Sequence, residues 1–167
     1  MEKKEYFDAL PRDIKRKIMT DYLFKDVFSE KRFKEFIDNG EAMDPDFLYD
    51  LSFGLKPRQF WPTDEDCFIY ENFEAVTEMY FVMRGKWAFA KEITNVDAHT
   101  KDQLSKDLIT VRGKYYLVLK DYHLPTYIGE YYILTQSLSR YCYIARENVD
   151  TYALTRQFLG ELFEKYP

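Results

Sequence analysis

Tyr127-Ile128-Gly129-Glu130-Tyr131-Tyr132-Ile133-Leu134, followed by Ser139-Arg140-Tyr141-Cys142-Tyr143-Ile144-Ala145, is the stretch that decides how this 167-residue chain is read. Glycine lets a backbone turn tightly and approach a ligand closely. A short helix opening at Glu130 would present free N–H groups at its start, the usual partners of an anion. Glu130 can accept a hydrogen bond from a sugar hydroxyl, and an arginine ten residues on can neutralise a phosphate. The run 141–145 then alternates like a strand, so the order is turn, short helix, strand.

Working outward, the rest of the chain fits that order. Upstream of the Gly-Glu step, short β-rich runs are separated by turn-forming residues: Gln59-Phe60-Trp61, 67–70, 79–83, 86–90, 108–111 and 115–119. Arg84-Gly85-Lys86 and Arg112-Gly113-Lys114 read as hairpin turns. With 141–145 and 151–154, these runs predict eight strands. Thr94 to Asp107 is polar and aperiodic, which predicts a long loop. Thr155 caps a last helix whose apolar face is Phe158, Leu159, Leu162 and Phe163.

The first quarter reads as helical. Pro11 suits a first turn, and Leu10, Ile14, Ile18 and Tyr22 recur at helical spacing, with Leu23 and Val27 widening the stripe. A second short helix from Ser29 would carry Phe33, Phe36 and Ile37 and stop at Asn39-Gly40. Asp44-Pro45 opens a third helix with Phe47, Leu48, Leu51 and Leu55, ended by Pro57. The expected fold is therefore α+β: an N-terminal helical arm over residues 1–43, then an eight-stranded antiparallel β-roll or jelly roll with a C-terminal helix over 44–167.

Composition narrows the function. Twenty-nine acidic against 24 basic residues give a net charge of −5, the wrong sign for a nucleic-acid surface. The only basic triplet, Lys15-Arg16-Lys17, fits the solvated side of a helix. Cys67 and Cys142 match no metal spacing and are expected to be reduced thiols. No apolar run approaches the ~18 residues a membrane span needs, so no direct insertion of this piece is expected. The two histidines, His99 and His123, and the acidic run Asp64-Glu65-Asp66 do not make a metal site. No nucleophile–base order appears, so no catalytic residue is assigned.

In this order, the chain resembles the C-linker end plus the cyclic-nucleotide-binding homology domain of hyperpolarisation-activated, cyclic-nucleotide-gated and ether-à-go-go-type cation channels. Leu10-Pro11 with Ile14 and Ile18 resembles the linker. Pro45-Asp46-Phe47 to Leu55-Lys56-Pro57 resembles the helix leading into the domain, and Phe60-Trp61-Pro62 the first strand and its turn. Glu71-Asn72 stands where the family has Glu-Gly. Met79-Tyr80-Phe81-Val82 ending in Gly85 is close to the third-strand signature, and the pattern runs without a gap from Gly129 to Pro167.

The resemblance implies a phosphate-binding cassette at Gly129, Glu130, Ser139, Arg140 and Tyr141. Glu130 matches the ribose contact. Ser139 falls on the phosphate-pairing arginine, Arg140 on a hydroxyl position and Tyr141 on a small alanine. One residue of offset turns a strand side chain to the opposite face. Losing one charge-assisted phosphate contact costs roughly 1.5–3 kcal/mol, about tenfold to hundredfold in affinity. The expectation is a degenerate cassette with no cofactor, cAMP and cGMP being disfavoured. The alternative is a working sensor, of the channel or protein-kinase regulatory-subunit kind, in which a slip within 136–139 restores Arg140. Tyr131, Tyr132, Tyr141 and Tyr143 are candidates to plug the site.

The implied function is a regulatory gating domain at the cytoplasmic face of a membrane, in a homotetrameric voltage-gated channel with potassium as the expected ion. Its partners would be the pore-domain helices of the same channel and neighbouring subunits. Ile14, Ile18, Tyr22, Phe33 and Phe36 are the candidate oligomer contacts.

Overall fold

The computed structural model describes residues 6–29, 44–94, 96–97, 101, 104 and 106–166. Phe33, Phe36, the helix expected from Ser29 and His99 lie outside the described residues, as does much of the expected loop.

Helix α1 (Arg12–Lys17) runs into a wider, π-helical segment (Ile18–Leu23), and α2 (Lys25–Ser29) follows. The expected unbroken stripe is therefore displaced. Each wide turn advances the chain by one residue relative to an α-helix, so the inward set changes. Met19, Val27 and Phe28 are buried, and Phe24 packs edge-on against Tyr152 with ring centroids 5.3 Å apart. Ile14 and Tyr22 stay exposed at 42% and 78%, and Ile18 is half-buried. Arg12 and Arg16 tie this arm to Asp46 at 3.4 and 3.2 Å.

Asp44 caps α3 (Pro45–Gly54) by accepting from the Asp46 N–H at 2.8 Å, with Pro45 in the first turn where its missing donor costs nothing. Strand β1 (Lys56–Phe60) contains Pro57, which is tolerated because β1 is an edge strand. Then come β2 (Phe68–Tyr70), β3 (Glu78–Arg84), β4 (Trp87–Ile93), β5 (Leu108–Val111), β6 (Lys114–Tyr122), β7 (Thr126–Ile128), α4 (Glu130–Thr135), β8 (Cys142–Ala145), β9 (Val149–Thr155) and α5 (Arg156–Lys165).

The described residues contain nine strands rather than eight. The addition is β7, whose three residues are too short to show a period of two in the sequence. Two antiparallel sheets form, in the orders β1-β9-β3-β7 and β2-β8-β4-β6-β5. The β5–β6 hairpin turns on Arg112 (φ +49°) and Gly113 (φ +73°), a two-residue loop with both φ values positive. The Arg112 guanidinium donates to the carbonyls of Asp64 and Glu65 and pairs with Glu71, pinning the acidic loop to the second sheet.

Met79-Tyr80-Phe81-Val82 of β3 is buried on consecutive positions. Such a run belongs to a strand covered on both faces. Here Val27, Phe28, Leu51, Leu159 and Leu162 of the helices share one core with Tyr70 and Trp87 of the second sheet. Asp50 on α3 bonds both Lys165 and Tyr166 at the end of α5, clasping the two helices. Cys67 and Cys142 are free thiols, buried in a smaller cluster with Ala90, Val111, Tyr116 and Ile144.

Candidate functional site

The Gly-Glu step folds as its residue types require. Gly129 ends β7 with φ +96°, and a Cβ there would collide with the Tyr70 hydroxyl. Tyr70 is held in place by donating to the Glu78 carbonyl at 2.7 Å. The chain then enters α4, which closes at Gln136 with φ +57°.

A cleft of about 830 Å³ lies beside this turn. Gly129, Glu130, Tyr131 and Tyr132 form one side, with Thr126, Tyr127 and Ile128 of β7. Trp87 and Phe89 of β4, Tyr122 of β6 and Tyr143 of β8 complete the wall. Trp87 stacks on Tyr122 at 4.3 Å and 8° and on Tyr143 at 5.5 Å and 27°, so both faces of the indole are covered. Its Nε1 is buried without a hydrogen-bond partner among the described residues.

Tyr132 stands edge-on to Tyr143 with ring centroids 6.5 Å apart, and the Tyr143 hydroxyl is pushed to a higher pKa first by burial and then by the neighbouring Tyr132. Both rings belong to the wall and leave the cleft open. Tyr131 is 62% exposed, and Tyr141 packs on Phe89 with centroids 4.5 Å apart.

Charge is the telling property of this cleft. Among the described residues, Glu130 is the one carboxylate in the lining, and no lysine or arginine lines the cleft. Loss of water around Glu130 holds its carboxyl above the usual carboxylate range, with only its own backbone N–H opposing.

The five cassette residues are not brought together. Gly129 and Glu130 line the cleft, whereas Ser139, Arg140 and Tyr141 are not in the lining. Ser139 is fully buried. Its N–H donates to the Glu74 carbonyl at 2.9 Å, its carbonyl accepts from Phe73 at 2.6 Å, and its hydroxyl donates to the Tyr141 carbonyl at 2.7 Å. Next to it, Leu138 bridges Ala75. Phe73 adopts φ +60°, so the left-handed residue falls one place after Asn72, where the resemblance put a glycine. Arg140 is exposed and makes no ion pair with a described residue.

Trp87, Phe89, Tyr122 and Tyr127 were not singled out by sequence reasoning as site residues. Trp87 and Phe89 are two apart on one strand and so share a face, a signal the sequence does carry. No group of three or more metal-ligating side chains occurs among the described residues.

The fold resembles that of the regulatory domain of Toxoplasma gondii PKA crystallised with cAMP, with a TM-score of 0.61 at 17% identity. The match covers 95% of this chain and 50% of that one, so the chain spans about half the length of that structure. No family model and no curated protein sequence matches. The fold shared with that domain consists of two antiparallel sheets with few helices.

Proposed function

We propose that the chain is a regulatory domain of the cyclic-nucleotide-binding type whose cleft does not hold a cyclic phosphate. The observation that carries this is that, among the described residues, no lysine or arginine lines the cleft and Glu130 is its only charge. A phosphate monoanion brought beside Glu130 would meet a like charge and no compensating cation, and burial of an unpaired charge is costly. Ser139, at the position of the phosphate-pairing arginine, is locked to residues 73, 74 and 141 instead.

For its context, the resemblance of residues 10–167 to channel C-linker and homology domains supports a gating role at the cytoplasmic face of a homotetrameric voltage-gated channel, with potassium as the ion. The arm would couple the roll to the pore helices and to neighbouring subunits. Exposure of Ile14 and Tyr22, with Ile18 half-buried, is compatible with such contacts. In the full-length protein, Ile18→Asp and Phe33→Asp should weaken tetramer assembly. Unchanged assembly would remove the arm from that role.

A second reading, a working soluble sensor, is favoured by the likeness to a kinase regulatory domain crystallised with cAMP. Calorimetric titration with cAMP and cGMP separates the two. No saturable heat at millimolar nucleotide is expected; saturable binding lost in Arg140→Ala would establish the sensor.

A further inference from the structure

Building on that reading of the cleft, we infer that it is a binding site for a small organic cation: an ammonium group with a methylated or aromatic body. An aromatic wall beside an unpaired carboxylate suits this chemistry and few others. Ring faces attract cations through their quadrupole, and the attraction grows as water is excluded. Among the described residues, Phe89, Tyr127 and Tyr131 line the cleft without being fully buried, and Glu130 supplies the only formal charge in the lining.

Among the described residues no cation pairs with Glu130, so a bound ammonium would neutralise a carboxylate that the fold leaves uncompensated. The same chemistry is already present beside the wall. The ammonium of Lys120, an exposed residue outside the lining, sits 4.8 Å from the centroid of the Tyr122 ring. The volume, about 830 Å³, lies within the roughly 300–1,000 Å³ of small-molecule sites.

The test is calorimetric titration of the whole chain with choline and with its neutral carbon analogue, dimethylbutanol, alongside cAMP. Saturable choline binding is expected, with dimethylbutanol roughly tenfold or more weaker, and with the difference reduced in Glu130→Gln to what the rings alone supply. The choline–dimethylbutanol comparison on the unaltered protein needs no variant and so survives a misfolded Glu130→Gln. Equal binding of the two would overturn the inference, since the cleft would then be merely apolar. Failure of both to bind would also overturn it, and silence of cAMP in the same experiment would leave the proposed function standing. Saturable cAMP binding would overturn both.

Discussion

Residues 129–135 and residues 136–141 are neighbours in the chain, yet different parts of the fold hold them. The first group is built against the core. Gly129 leaves room for the Tyr70 hydroxyl, and Tyr132 and Ile133 are buried on α4. The second group is tied to the loop after β2 through Phe73, Glu74 and Ala75. The glycine turn is thus fixed by packing, while Ser139, Arg140 and Tyr141 are held by a different part of the fold. A Gly-Glu step reports the fold, and the cation reports the ligand.

The comparison can be broken most forcefully by Ser139→Arg, which places an arginine at the position where the cassettes this stretch resembles carry one. Because Ser139 is fully buried, the variant is expected to lose roughly 3–5 kcal/mol of stability in denaturant unfolding and to gain no cAMP binding. A stable variant that binds cAMP would show that the second half is free to serve the cleft.

Gly129→Ala tests the first half. A left-handed φ and a collision with Tyr70 should together cost about 2–5 kcal/mol by the same measurement. A loss below about 1 kcal/mol would mean that the turn is not fixed by packing.

Glu130→Gln sharpens the comparison by removing the charge alone. Burial raises the folded-state pKa of Glu130, so the folded protein holds its proton more tightly than the unfolded chain does. That contribution is fully present below the ordinary carboxylate range and is lost as pH rises through the raised value. Glu130→Gln should therefore gain stability relative to the parent as pH rises from acid to neutral. Parallel stability–pH curves would contradict this. Arg140→Ala, at an exposed position without an ion pair to a described residue, should change stability by less than about 0.5 kcal/mol in the same unfolding assay.

Much of this layout is legible in the sequence because local chemistry dictates it. Asp44 and Thr155 cap the helices they precede, Arg112-Gly113 makes a hairpin, and Gly129-Glu130 opens a short helix. The features that escape are those set by distant partners. Ser139 is buried because residues 73–75 reach it, and no periodicity near 139 encodes that contact. The π-helical segment at Ile18–Leu23 moves Met19 and Phe24 inward although the α-helical stripe favours Ile14 and Tyr22. Trp87 and Phe89 are not legible as cleft residues because a single strand does not reveal which cavity its shared face meets.

The separation of turn from cation is tested most directly by following the backbone amides of the isotope-labelled chain by NMR while cAMP is added to millimolar concentration. Unmoved resonances for Gly129, Glu130 and Tyr132 are expected, since the described lining residues offer the phosphate no cation. Saturating shifts at those amides, accompanied by Arg140, would contradict it.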